Sequence, residues 1–202
     1  MTVFLVDDDP SVRRALTRLI KSAGNDVRAF SSAREFLDHR PADDTPACLV
    51  LDVRMPGLSG LDLQTELQSM SAVLPIVFIT GHGDIPMSVK AMKAGAMDFL
   101  QKPIKDKDLL KAIEGALARA VDGVGKRQEI QEIQRRIDSL TPREHEVMTL
   151  IVTGLLNKQV AHALGTAEKT IKVHRARVME KMQVDSLAEL VRFAERVGIG
   201  TR

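Results

Sequence analysis

Five short strand patterns recur along the first hundred residues, three of them apolar throughout, and each is followed by a helical pattern. They are Val3–Val6, Val27–Phe30, Cys48–Leu51, Ile76–Ile79 and Met97–Gln101. A strand that is apolar throughout must be buried on both faces. Alternation with helices therefore predicts a parallel sheet covered on two sides. The helices expected between the strands start at Pro10, Arg34, Leu61, Pro86 and Lys105. In the first, Val12, Leu16, Leu19 and Ile20 share one face. In the last, which ends near Ala120, Leu109, Leu110, Ile113 and Leu117 do so. The expected architecture is α/β followed by all-α, beginning with a five-stranded, parallel, doubly wound domain over residues 1–121.

After Ala120 the pattern changes. Val121-Asp122-Gly123-Val124-Gly125 reads as a hinge or helix break. Residues 122–140 then form an expected linker, largely helical, with Ile130, Ile133, Ile137 and Leu140 spaced as an a/d seam over two heptads. That seam suits either packing on its own chain or pairing with a second copy. Residues 141–202 read as four helices. Thr141-Pro142-Arg143-Glu144 supplies an N-cap, a first-turn Pro and a Glu three residues on, the capping-box pattern. A second box opens the last helix at Ser186. A short helix from Asn157, a turn at Gly165 and a basic helix over Glu168–Met182 make a helix-turn-helix pattern.

Charge separates the two halves. Residues 1–122 carry 15 basic and 17 acidic groups, whereas residues 123–202 carry 14 and 10. The first half is thus mildly acidic and the second basic, which points to different partners. No apolar run approaches the roughly 18 residues of a membrane helix, and the acidic N-terminus is unlike a signal peptide. One cysteine, Cys48, excludes a disulfide framework and a zinc ribbon. A cytoplasmic protein with no membrane insertion is expected.

Ligands of open α/β sheets bind at the carboxyl ends of the strands. Asp7, Asp8, Asp52, Thr80 and Lys102 all fall there. Three converging carboxylates stay ionised together only around a cation. Oxygen ligands without a His/Cys cluster point to Mg2+, which accepts phosphate oxygens as well. A carboxylate beside Mg2+ can become a nucleophile toward phosphorus. Lys102 and the Thr80 hydroxyl then suit the phosphoryl oxygens. Asp9, directly before Pro10, reads as an N-cap rather than a ligand. His82, isolated in a glycine loop, reads as no ligand.

The stretches VDDDPSVRRAL, LDVRMPGLSG, FITGHGDIPMSVKAMKAG and DFLQKP resemble the receiver domain of two-component response regulators, most closely the FixJ group. The resemblance covers residues 3–120. It implies a flavodoxin/CheY-like fold, Asp52 as phospho-acceptor, and a metal site of Asp7, Asp8, Asp52 and the Arg54 carbonyl. It further implies Thr80 and Phe99 as a switch pair, a Lys102 phosphate contact and a cis Lys102–Pro103 peptide. Phe99 equally suits a place in the core.

On the basic helix, residues at about 100° each put Ile171, His174, Val178 and Met182 on a packed face. Arg175 lies near the buried side, and His174 reads as lining the core. The opposite face carries Lys169, Lys172, Val173, Ala176 and, at its margin, Arg177. The second helix of such a motif enters the major groove. Lys172 suits a guanine edge, and Val173 or Ala176 a thymine methyl. Lys169, Thr170, Arg177 and Lys181 suit phosphates. The segment from Leu140 to about Val197 resembles the LuxR/NarL-type DNA-binding domain. Ala167 stands where that family usually has Ser or Thr, so a helix cap worth about 1 kcal/mol is expected to be missing.

The resemblance implies a phosphorylation-dependent transcriptional regulator. Its partners would be a sensor histidine kinase, double-stranded promoter DNA and, on phosphorylation, a second copy. Candidate dimer surfaces are Met87–Lys93 with Asp98–Leu100, and Leu187, Leu190, Val191 and Ala194. A Mg2+-dependent phosphohydrolase is the enzymatic alternative, but Val53 and Arg54 after Asp52 leave out the second acid/base that it needs. A protein- or RNA-binding module is the other alternative. RNA readers stack bases on aromatics, and the second half offers only Phe193.

Overall fold

A computed structural model describes residues 1–39, 45–70, 74–81 and 85–200. His82 lies outside the described residues. Two compact units divide at Gly125 and Lys126. The first holds a sheet of five parallel strands: β1 (Thr2–Val6), β2 (Asp26–Phe30), β3 (Ala47–Asp52), β4 (Ile76–Thr80) and β5 (Asp98–Gln101). Their order is β2-β1-β3-β4-β5, which places a topological switch point between β1 and β3.

Side-chain alternation feeds two separate cores. Phe4, Val6, Leu49, Leu51, Ile76 and Phe78 point to one face. There they meet α2 (Ala33–Asp38), α3 (Gly60–Ser69) and α4 (Ile85–Lys93) through Phe36, Leu63, Leu67 and Ala91. Val3, Leu5, Cys48, Val50, Val77 and Ile79 point to the other. That face is covered by Ile20 of α1 (Pro10–Ser22) and by Leu109, Ile113, Ala116 and Leu117 of α5 (Asp106–Asp138). Burial on both faces explains why these strands read as unbroken apolar runs.

The break expected at 121–125 does not occur, because α5 continues to Asp138. Glycine inside a helix costs only about 1 kcal/mol relative to Ala. Good helix formers flank the pair, and the turns beyond them are anchored. Ile133 and Ile137 are buried in the core of the second unit. The a/d seam therefore packs on its own chain, with Ile130 left 43% exposed. By contrast Gly154, just after α6, has φ +89°, a conformation that stops a helix.

The second unit contains α6 (Pro142–Ile151), α7 (Asn157–Ala163), α8 (Glu168–Met182) and α9 (Leu187–Arg196). Val147, Met148, Ile151, Val160, Ile171, Val178, Met182 and Leu190 form its core. The capping box at Thr141 is present: the Thr141 Oγ1 accepts from the Glu144 N–H at 3.3 Å, and the Thr141 N–H donates back to Glu144 at 2.9 Å. Glu144 is also a buried acid, 2% exposed, and Lys181 of α8 meets it at 2.7 Å. The hydrogen bond from Lys181, then that from the Thr141 backbone, hold the Glu144 carboxyl down at about 2 from the ordinary 4.5. A depressed carboxyl stabilises the fold above its unfolded pKa. That contribution is lost as pH falls from about 4.5 toward 2.

Carbon-detected NMR titration of Glu144 is expected to show this low midpoint, and Lys181→Ala to move it back toward 4.5. A second expectation concerns Gly60, which opens α3 directly against β3. A Cβ there would clash with the Asp52 carbonyl oxygen and stand 3.1 Å from the Val53 Cα. Gly60→Ala is expected to destabilise the first unit by about 1–3 kcal/mol, read as an earlier thermal transition in circular dichroism.

Candidate phosphoryl site and nucleic-acid interface

Asp7 directly follows β1 and Asp52 ends β3, so the two carboxylates flank the switch point. Asp7 is fully buried, Asp52 is 6% exposed and Asp8 is exposed. Each offers a carboxylate oxygen, and these oxygens lie within 4.8 Å of one another. Lys102, beyond the end of β5, reaches between the two buried acids. Its Nζ donates to Asp7 Oδ2 at 2.7 Å and to Asp52 Oδ2 at 2.5 Å. The Lys102 N–H donates to the Thr80 carbonyl at 2.7 Å, which extends the β4–β5 pairing up to the site. The Lys102–Pro103 peptide is cis.

The backbone holds the other oxygen of each buried acid. The Arg54 N–H donates to Asp52 Oδ1 at 3.1 Å, and the Asp9 N–H to Asp7 Oδ1 at 2.8 Å. Asp9 itself caps α1, accepting from Ser11 and Val12, which removes it from the ligand set. Burial raises the Asp7 pKa above the usual carboxylate value, aided by the Asp52 charge and opposed by Lys102 and the Asp9 N–H. On Lys102, burial pulls the pKa down, yet the bonds to Asp52 and Asp7 outweigh it and leave it raised. One ammonium thus serves two buried acids, while the third carboxylate lies within reach. A hard divalent cation fits this oxygen-only set. Mg2+ holds oxygens at about 2.1 Å, so opposed ligands span about 4 Å, and these oxygens all lie within 4.8 Å of one another.

Thr80 ends β4 and is fully buried. Phe99 in β5 is half-buried and pairs in register with Phe78, the two rings 6.1 Å apart and tilted 43°. Its ring thus packs against the core face that carries Phe78. Sequence reasoning missed Arg13. Its guanidinium donates to the carbonyls of Asp7 (2.6 Å) and Asp8 (2.8 Å), pinning the loop that presents both acids. The available signal was its place one turn after the Asp9 cap, where a long side chain folds back over the preceding loop.

In the second unit α8 buries Ile171, Val178 and Met182. It exposes Lys169, Thr170, Lys172, Val173, Ala176 and Arg177. Lys172 pairs with Glu168 on the surface at 3.2 Å. Ala167 precedes α8 without a side-chain cap. Arg175 is half-buried and donates to Asn157 Oδ1 at 3.2 Å. His174 is half-buried, and its buried Nδ1 has no hydrogen-bond partner among the described residues. Lys181, expected at a phosphate, is half-buried and engaged within its own unit. Its ammonium is turned into the unit, bonded to Glu144 and to the Ser139 carbonyl at 3.0 Å. A buried carboxylate recruits the nearest cation, because leaving it unpaired costs more than a surface contact returns. In α9, Leu190 and Ala194 are buried, and Leu187 and Val191 half-buried, so much of its apolar face serves its own unit.

Among the described residues, no helix is long and apolar enough to cross a membrane. Residues 3–114 match the response regulator receiver domain family, and residues 138–194 match the bacterial regulatory proteins of the luxR family. The chain is 53% identical to Nodulation protein W of Bradyrhizobium diazoefficiens, over 98% of this chain and 86% of that protein. It is 44% identical to the transcriptional regulatory protein FixJ of the same organism, over 98% of this chain and 96% of that one. The solved structure of the response regulator StyR is similar over 96% of this chain and 98% of that one, with 50% identity and a TM-score of 0.83. With an acid cluster at the switch point of a parallel sheet and a helix-turn-helix unit behind it, this chain belongs to the response regulators that join a receiver domain to a LuxR-type DNA-binding domain.

Proposed function

We propose that Asp52 accepts a phosphoryl group from a sensor histidine kinase with Mg2+, and that this modification controls dimerisation and promoter binding. The observation that carries the reading is the convergence of three carboxylates and one lysine at the strand ends. An Asp52 oxygen attacks phosphorus as the bond from phosphorus to the donor nitrogen breaks, and an acyl phosphate results. Asp7, Asp8, Asp52 and the Arg54 carbonyl would hold Mg2+, which supplies positive charge to the phosphoryl oxygens when bound. The Lys102 ammonium leaves its bridge between Asp7 and Asp52 to pair with the new phosphoryl group, and the Thr80 hydroxyl donates to it. Thr80 and Phe99 then act as the switch pair, through a reorientation of the half-buried ring.

The chain acts as a stoichiometric switch in the cytoplasm rather than as an enzyme with turnover. Val53 and Arg54 follow Asp52, so no second carboxylate is provided beside it by the next two residues. Dimerisation draws on the outer face of α4, where Ile85 is 79% exposed and Val89 and Met92 nearly half so, together with β5. Lys169, Thr170, Lys172, Val173, Ala176 and Arg177 form the surface offered to double-stranded DNA. Lys181 is better explained as a strut that fixes this helix to α6.

Asp52→Asn is expected to abolish incorporation of labelled phosphate from a small phosphodonor in the presence of Mg2+. Labelling that survives would move the acceptor elsewhere. Chelation of Mg2+ should suppress labelling of the unaltered chain to a similar degree. Lys172→Ala with Arg177→Ala should weaken duplex binding at least tenfold. The same pair should make the salt dependence shallower by about one unit of slope for each phosphate no longer neutralised. Unchanged affinity would refute the helix assignment.

A further inference from the structure

The exposed face of α8 reads DNA only if the helix is held at one axial rotation and one depth. Its buried contacts, Ile171, Val178 and Met182, are apolar, and apolar burial is non-directional. The N-terminal end has no side-chain cap at Ala167. Polar ties along and beyond the helix add the directional constraints that fix its rotation and depth more closely than packing alone. Arg175 to Asn157 is one, and Lys181 to Glu144 and Ser139 is another. A third is made from outside the four-helix arrangement, by the tail of α5. Arg136 donates through its Nη1 to the Met182 carbonyl, in the final turn of α8, at 3.1 Å.

Arg136 is built for that contact. Its side chain is only 21% exposed. Its Nε is held by Glu132, one turn earlier on α5, at 3.1 Å. Its guanidinium carbon lies 5.9 Å from the centre of the Phe193 ring of α9. The guanidinium thus joins α5, the end of α8 and α9 at a single point. A cation at a helix C-terminus satisfies a carbonyl that has no partner within the helix and opposes the negative end of the helix dipole. Ile133 and Ile137, on the adjoining turns, are buried in the same core and keep the α5 tail in place. The Ser139 carbonyl that receives Lys181 belongs to the same connection.

From this geometry we infer that Arg136 is a positioning residue for DNA recognition, and that the last turns of α5 are a working part of the DNA-binding unit. The inference rests on α8 being the helix that contacts DNA. Arg136 touches no base or phosphate in this role. It sets where the α8 side chains stand.

The test uses the full chain and two duplexes: one selected by the unaltered, phosphorylated protein from a random library, and a scrambled sequence of the same composition. Arg136→Gln is expected to lower affinity for the selected duplex about tenfold, the worth of a charge-assisted hydrogen bond. Affinity for the scrambled duplex, and the slope of affinity against salt, should stay as they were, because every phosphate remains neutralised as before. Arg136→Lys, which keeps the charge and the stem, should recover part of the discrimination, and it serves as the test variant if Arg136→Gln unfolds. Equal affinity for the selected duplex would overturn the inference. So would a uniform loss on both duplexes with a shallower slope, which would make Arg136 a phosphate contact. If Lys172→Ala with Arg177→Ala leaves binding unchanged, the helix assignment itself fails. If that pair weakens binding while Arg136→Gln does not, only the role of Arg136 fails.

Discussion

The receiver unit is organised around an ammonium placed between two buried carboxylates. Lys102 is within 2.7 Å of Asp7 and 2.5 Å of Asp52. Two acids at the ends of adjacent strands repel each other and lose hydration on burial, so neither could stay charged there without a cation. The strand order brings β1 and β3 side by side, which creates the repulsion. The β4–β5 edge delivers the lysine that relieves it. One ammonium does not fully compensate Asp7, whose pKa stays raised. The oxygen-only cluster of Asp7, Asp8 and Asp52 thus leaves room for a further positive charge.

The DNA-binding unit solves a related problem differently. Its buried acid, Glu144, works as a helix cap and as the anchor for Lys181. Here the charge pair joins α6 to α8, and the carboxyl is pushed down rather than up. The contrast separates an acid whose pKa burial raises from one whose pKa its hydrogen bonds lower. The same pairing removes Lys181 from the exposed basic face and leaves the more N-terminal residues of α8 to face solvent.

Much of the fold was legible because burial on two faces leaves a plain mark on strands. Val3–Val6, Cys48–Leu51 and Ile76–Ile79 are apolar at every position, and all three are buried throughout. The capping box at Thr141 was legible too, since it needs only residues three apart, whereas at Ser186 only the side-chain cap forms and Glu189 accepts from the Asp185 N–H instead. The continuity of α5 was not. Gly123 and Gly125 lower the local helix propensity, and what outweighs them is packing of Ile133 and Ile137 against residues from Val147 to Leu190. No local window contains that information.

The sequence by itself determined the chemistry that is available: carboxylates and a lysine at strand ends, and a basic helix after a turn. These follow from period and spacing, which are local properties of the chain. Tertiary structure alone decided what each charge does. Lys102 and Lys181 are both single lysines near acids, yet one bridges two carboxylates at the strand ends and the other braces a helix. Arg136 gives no hint in the sequence that it holds a backbone carbonyl 46 residues on, and the place of Arg13 after the Asp9 cap does not say which carbonyls it reaches. The physical reason is that a long cationic side chain pairs with whichever oxygen the fold brings within reach, and that oxygen can lie dozens of residues away.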